Sequence, residues 1–555
     1  MEVRSVALPR LLYLYHMNIR CSKKNLLLLS MAVLAVVLTW LFWPLASSQW
    51  NIQWDPQMTS GKTAYLDTLS KAPQTGPNVI LILADDLARN ELSCYGGTDV
   101  STPHIDQLAS EGVQFKEAYV TAPICAPSRA SLLTGRVNNR FGFEHQPQAR
   151  YPRNRLEYFA FRYFIDTDQW QVAPQFSFPD AANIAQQGIP PGEILLPEIF
   201  QAAGYRTGMF GKWHLGAEQP FTPNARGFDT FYGFYEAFSL FADSLRPDIV
   251  NARVDEFSDK HIWSKGREGT CAIRDNGQEV QDTGYFTFTI AQKACAFIRE
   301  NKQRPFFLYL PFNAPHTPFQ APKSYYDRFA HEKNHTRRVY LAMIATLDDA
   351  VGQVMQCLAE EGLDENTLVW FSSDNGGATY TTASWNDPLK GGKLSNWEGG
   401  LQVPFIWKWE GQIPAGQSFD LPVSLMDVFV TSLAAAGITP PRDRTLDGVD
   451  LKPWLAENSP AQAPHPYLCW KSAYNKAIRK GDYKLIIDEN TQTFQLYHLP
   501  SDPEERNNLV EKEPALVKAL LDSFLQWEKD MVPALWPGIM DHIFIIDGKS
   551  YLFRV

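Results

Sequence analysis

Asp85, Asp86, Asp374 and Asn375 offer only oxygen donors, the ligand chemistry of a hard divalent cation such as calcium or magnesium rather than zinc. Alone, Asp85-Asp86 reads equally well as a helix cap, but a second such cluster after another apolar run weakens that reading. A cysteine stands in Ile124-Cys-Ala-Pro-Ser-Arg-Ala-Ser-Leu-Leu-Thr-Gly-Arg136. Pro127 and Gly135 predict a short helix with Cys125 just before it, Pro at the first position and Gly past the end. Free N–H groups and the dipole at such a helix start favour negative charge. A lone cysteine is more often a buried structural residue, so its surroundings must decide its role.

Those surroundings are strands. Val79-Ile-Leu-Ile-Leu83 leads into Asp85-Asp86, Thr207-Gly-Met-Phe210 into Lys212-Trp213-His214, Phe306-Phe-Leu-Tyr-Leu310 into Asn313-Ala-Pro-His316, and Leu368-Val-Trp-Phe371 into Asp374-Asn375. Alternation of such apolar runs with helical patterns from Val79 to about Ile438 predicts an α/β domain with a large, mainly parallel sheet flanked by helices. Ligands of open α/β sheets bind at the carboxyl ends of the strands. The polar clusters should therefore converge on one edge.

From Cys125 to Arg136 the chain resembles the signature of the formylglycine-dependent type I sulfatases, an arylsulfatase-like branch of the alkaline phosphatase superfamily. Pro77-Asn-Val-Ile-Leu-Ile-Leu-Ala-Asp-Asp86, Gly211-Lys-Trp-His-Leu-Gly216, Asn313-Ala-Pro-His316, Asp374-Asn-Gly-Gly377 and Lys390-Gly-Gly-Lys-Leu-Ser-Asn-Trp-Glu-Gly-Gly400 follow the family in the same order. The resemblance spans roughly residues 75 to 530, since Ala477–Leu485 and Leu496–Glu505 look like the family's carboxy-terminal domain.

The resemblance implies a sulfuric ester hydrolase. Cys125 would be modified to formylglycine by a formylglycine-generating or sulfatase-maturating enzyme, and its hydrated aldehyde would be the nucleophile. Ala126 follows the key cysteine, where maturation systems differ in accepting Ser or Ala, so the route stays open. It also implies a metal site of Asp85, Asp86, Asp374, Asn375 and the modified Cys125, holding calcium, with magnesium as the alternative. Arg129 would hold the modified side chain, Lys212 and Lys393 the sulfate, and His214 the gem-diol, while His316 would protonate the departing oxygen. Fixed cations around a transferring anion give the electrostatic stabilisation such reactions need. Without the motifs, each lysine would read as a surface charge and each histidine as a satisfied core residue.

The chain of 555 residues carries 51 Lys+Arg against 61 Asp+Glu, and its 45% hydrophobic content excludes a disordered or low-complexity protein. A net charge of -10 argues against nucleic acid as a partner. Seven scattered cysteines, without a CxxC pair, indicate neither a disulfide scaffold nor structural zinc.

Leu26–Trp43 is an apolar run preceded by Arg20, Lys23 and Lys24 and followed by Ala46-Ser47-Ser48. Residues 1–48 read as a cleaved signal peptide, with an uncleaved membrane anchor as the rival. Either places the rest outside the cytoplasm: periplasmic or inner-membrane anchored in a bacterium, lysosomal or secreted in a eukaryote. Residues 49–73 read as an irregular linker, 74–447 as the catalytic domain, and 448–555 as a smaller α+β domain ending in a hairpin around Asp547-Gly548.

The insertion at about 137–191 is rich in aromatics and arginines. Its composition suggests that it shapes a pocket for a sulfated sugar, with Arg155 and Arg162 pairing with carboxylate or a second sulfate; a loop packed on the second domain is the plainer reading. The 13% aromatic content suits a sulfated poly- or oligosaccharide substrate. Two other functions stay open: a phosphoester or phosphonate hydrolase of the same superfamily, and a non-catalytic glycan-binding protein of the cell envelope. Oligomeric state is not legible.

Overall fold

Every residue from Val79 to Leu83 is apolar and buried, which only a strand covered on both faces requires. In the computed structural model this strand, Asn78–Ala84, lies at the centre of a ten-stranded sheet. The structure describes residues 23–45, 50, 52–69, 76–148, 151–173, 179, 181–254, 257–456, 459–460, 462–546 and 548–555. Thr367–Ser373 pairs parallel to the central strand on one side and Phe306–Pro311 on the other, followed by Arg206–Lys212 and Thr230–Phe234, also parallel. Antiparallel strands flank this centre, Phe405–Lys408 beyond Thr367–Ser373 and Arg274–Asp275 beyond Thr230–Phe234. The expected sheet is thus parallel where the polar clusters sit and mixed at its margins.

The period of two along the central strand divides the core. Val79, Leu81 and Leu83 face a cluster with Leu132, Leu133 and Phe200, whereas Ile80, Ile82 and Ala84 face Phe297, Ile344 and Leu358. The second layer comes from two long helices, Phe286–Asn301 and His335–Glu360. Burial of both faces fixes the register, and Ala84↔Ser373 and Leu83↔Pro311 bring three strand ends level.

Downstream, Leu468–Ser472, Asn475–Lys480, Tyr483–Asp488 and Thr493–His498 form an antiparallel sheet. The helix Pro514–Glu528 covers it through Leu520, Phe524 and Trp527. Lys484 on this sheet is buried and pairs with Glu398 at 2.7 Å and Glu505 at 2.9 Å, joining it to the catalytic domain. The terminal hairpin is present as Met540–Ile546 and Lys549–Arg554, turning through Gly548 at φ +72°. Asp547 lies outside the described residues.

The linker expectation fails. Pro56–Thr68 is a helix, capped by Asp55 accepting the Gln57 N–H at 2.8 Å. It is built into the domain: Lys62 donates to Glu198 at 2.5 Å and Tyr65 to the Thr439 carbonyl at 2.8 Å. Weak apolar periodicity concealed it, since only Tyr65 and Leu66 of this helix pack on the main core and the rest of its attachment is polar. The N-terminal apolar run forms the helix Lys23–Phe42, with no buried residue. The cleavage-site residues Ala46-Ser47-Ser48 lie outside the described residues.

Candidate active site

The strand ends converge as the sequence predicts, and the cysteine helix points at them. That helix begins at Cys125 itself and runs to Thr134, so Pro127 stands third rather than first. Gly135 ends it at φ +66°, a left-handed conformation that glycine adopts without a Cβ clash. The Cys125 thiol lies 3.6 Å from Asp85 Oδ1 and 3.9 Å from Asp86 Oδ1. Burial, with the carboxylate of Asp374, pushes this thiol far above its ordinary range. An unmodified Cys125 is therefore protonated and a poor nucleophile.

Three fully enclosed cations balance three enclosed carboxylates. Lys212 Nζ sits 2.8 Å from Asp85 Oδ2, and Lys393 Nζ 2.9 Å from Asp86 Oδ2. Arg129 donates through Nε to Asp374 Oδ2 at 2.8 Å and lies 3.4 Å from Asp85 Oδ1. Its guanidinium thus spans the acidic pair rather than gripping residue 125. Burial alone would raise Asp85 and Asp86, but Lys212 for the first and Lys393 for the second outweigh it and hold both carboxyls below their usual range. Lys393 is likewise charged, because Asp86 more than offsets the cost of its burial.

Backbone strain supports the arrangement. Asp86 and His214 hold φ of 62° and 60°, a region that non-glycine residues occupy at a cost and that clusters at functional sites. At the preceding strand end Gly211 has φ +134°, and a Cβ there would lie 2.0 Å from the Pro311 carbonyl oxygen. Only glycine lets these two strands approach closely enough to bring Lys212 to Asp85.

Several polar atoms are buried without protein partners: both ring nitrogens of His214, both side-chain heteroatoms of Asn313, and Asn375 Oδ1. Asn375 donates its amide to Asp86 Oδ1 at 2.7 Å, which leaves its oxygen available. One ligand atom each from Asp85, Asp86, Cys125 and His316 fall within 4.8 Å of one another. Enclosed carboxylates plus an orphan amide oxygen fit a hard cation.

His316 is fixed in the same cluster. Its Nδ1 pairs with the Thr317 carbonyl at 2.5 Å and its Nε2 lies 3.2 Å from Lys393 Nζ. If Nδ1–H donates to that carbonyl, Nε2 accepts from Lys393. A cavity lined by His214, Gln148, Gln187, Tyr235 and Glu236 opens beside this cluster.

The structure does not bring Arg155 and Arg162 here. Arg155 stacks on Trp40 of the N-terminal helix at 5.1 Å and donates to the Trp40 carbonyl. Arg162 is exposed and pairs with Asp166 one turn on. The helix Arg155–Ile165 turns its buried side chains, Tyr158 and Ile165, to the protein and both arginines away from the site. From the same insertion, Trp170–Val172 pairs with the terminal hairpin, and Trp170 meets His542 at 4.6 Å, which in turn meets Tyr380 at 4.9 Å. Burial, then the charge of Lys393, lowers His542 to about 3. Nothing in the sequence signals this contribution, because His542 stands about 150 residues from Lys393 in an ordinary hairpin.

Comparison with known proteins decides the family. The Sulfatase profile matches residues 77–438, and the profile of the N-sulphoglucosamine sulphohydrolase C-terminal region matches 393–529. The chain belongs to the sulfatase family. N-acetylgalactosamine-6-sulfatase of Rattus norvegicus is 34% identical over 475 residues, 78% of this chain and 81% of its own. Steryl-sulfatase of Mus musculus is 30% identical, covering 73% of this chain and 69% of its own. Among solved structures, Ps i-CgsB is 31% identical and superposes at a TM-score of 0.70 over 83% of this chain and 95% of its own. This sulfatase is an enzyme that hydrolyses sulfate esters, on the α/β fold and smaller C-terminal domain its sequence predicts.

Proposed function

We propose that this sulfatase removes sulfate from a sulfated poly- or oligosaccharide outside the cytoplasm, through a formylglycine gem-diol at residue 125. The buried Cys125 at a helix start, facing Asp85 and Asp86, is the observation that carries the reading. Sγ stands where one oxygen of the modified side chain would join Cβ. A gem-diol has an exit that a thiol lacks. One hydroxyl attacks sulfur and the bond to the sugar oxygen breaks; the other then loses its proton, forms the carbonyl, and expels sulfate.

Asp85, Asp86, Asp374 and Asn375 would hold calcium, which when bound lowers the pKa of the attacking hydroxyl and counters sulfuryl charge. Lys212 and Lys393, the fixed cations against Asp85 and Asp86, would bind sulfate oxygens. His214, neutral because burial and then Lys212 lower its pKa far below the ordinary value, has both nitrogens free to orient the gem-diol. His316 would protonate the departing sugar oxygen as general acid, with the Lys393 ammonium 3.2 Å from its Nε2.

A carbohydrate substrate draws support from the complex of Ps i-CgsB with k-i-k-neocarrahexaose, 31% identical to this chain. The cavity beside His214 carries Gln148, Tyr235 and Glu236, groups suited to sugar hydroxyls. The test runs the calcium-loaded enzyme in parallel on sulfated oligosaccharides, an aryl sulfate and an aryl phosphate. Sulfate release abolished in Cys125→Ala is expected; preference for phosphate, or glycan binding without turnover, would overturn the reading.

A further inference from the structure

The helix Arg155–Ile165, which the active site does not use, has a second apolar face. Leu156, Phe159, Ala160 and Tyr163 recur at one-turn spacing and are all exposed, Phe159 at 48% and Tyr163 at 83%. Its opposite face, Tyr158 and Ile165, is in the core, so the helix is buried on one side and largely exposed on the other. An apolar stripe of this kind needs an apolar partner.

The neighbouring segment indicates which partner. The helix Lys23–Phe42 is 20 residues long, apolar over most of its length after Asn25, and has no residue buried in the protein. It is long enough to cross a bilayer. Its last turn carries Trp40, just before Trp43, the residues of a membrane–water boundary. Arg20 precedes it and Lys23 and Lys24 open it, and no further basic residue occurs until Lys62, an asymmetry that puts the N-terminus in the cytoplasm.

The two helices meet at that boundary. Trp40 packs on Phe159 at 6.0 Å, Arg155 stacks on Trp40, and an open crevice lined by Ala35, Val36, Thr39, Trp43 and Arg155 runs where they join. The chain leaving the first helix is tied down at once: the Leu45 N–H donates to the Arg153 carbonyl at 3.0 Å, and Pro44 bridges to Asn154. With so short a tether, the surface of any membrane holding Lys23–Phe42 passes next to Arg155–Ile165.

We propose that Lys23–Phe42 is retained as a membrane anchor and that Arg155–Ile165 lies in the bilayer interface beside it, Leu156, Phe159 and Tyr163 facing acyl chains and Arg155 a lipid phosphate. The catalytic domain is then held by two membrane contacts rather than swinging on one. Amphipathic side chains suit that depth, since Arg and Tyr place polar tips at the headgroups.

The full chain, with its N-terminus, is reconstituted in nanodiscs of phosphatidylethanolamine and phosphatidylglycerol. p-Benzoylphenylalanine replaces Phe159, Tyr163 or, as control, Leu525, which is exposed to a similar degree at 44% on another helix. Melting temperatures check that each chain is folded. Photolysis is expected to give phospholipid adducts at 159 and 163 and their loss at 525. Equal adduct yields at the three positions would overturn the proposal, as would a mature chain from the native membranes that begins after Ser48.

Discussion

Arg129 Nε donates to Asp374 Oδ2 at 2.8 Å, and the same guanidinium lies 3.4 Å from Asp85 Oδ1. One arginine thereby ties the helix that carries Cys125 to the ends of two different strands. Both partners are fully enclosed, so its removal would leave two carboxylates buried with less compensation. Arg129→Ala should lose about 3–5 kcal/mol of stability, the range for breaking a buried ion pair from one side, measurable by denaturant unfolding. Unfolding at the wild-type midpoint would show that the pair is incidental.

Lys393 touches Asp86 and His316 together. Lys393→Met removes a cation from the sulfate position and from beside His316. We expect turnover to fall by about 10²–10³, as for loss of one preorganised donor, with a smaller change in KM. A rise in KM at unchanged kcat would assign Lys393 to ground-state binding alone.

The interface with the C-terminal domain rests on Lys484 between Glu398 and Glu505. Burial, only partly countered by Lys484, raises Glu505 to about 7. Lys484→Met strands two carboxylates and should destabilise by about 3–5 kcal/mol. A triple Lys484→Met, Glu398→Gln, Glu505→Gln variant should recover part of that loss in thermal melts; no recovery would contradict the electrostatic account.

His465 gives a pH dependence of known sign. Burial works against its charge, but Asp427 at 3.0 Å outweighs burial and raises its pKa. A folded value above the unfolded one, near 6.5, means the contribution is full below that pH and is lost as pH rises through the folded value. The melting temperature of the wild type should therefore exceed that of His465→Gln by more in acid than at alkaline pH. An equal gap at both would remove His465 from the ledger.

The site was legible because its chemistry lies at strand ends and a helix start. Asp85, Asp86, Asp374 and Asn375 each terminate an apolar run, and the sheet must carry them to one edge. Cys125 was legible through the unbroken Cys125–Arg136 signature. What escaped depended on contacts remote in sequence. Pro56–Thr68 is held by hydrogen bonds of Lys62 and Tyr65 and by the packing of Tyr65 and Leu66 on the core, too few apolar residues for periodicity to find it. His542 meets Trp170 only after two distant strands pair. Arg155 and Arg162 misled for the converse reason: an aromatic, arginine-rich helix suits a sugar or a membrane, and only the packing of Trp40 and Phe159 separates them.

The central claim is that residue 125 works as an aldehyde and not as a thiol. Mass spectrometry of the peptide containing residue 125, from a host able to make formylglycine, reads this directly. An aldehyde at that position, in protein that turns over an aryl sulfate, is the predicted result. An intact thiol in protein that is equally active would contradict the account.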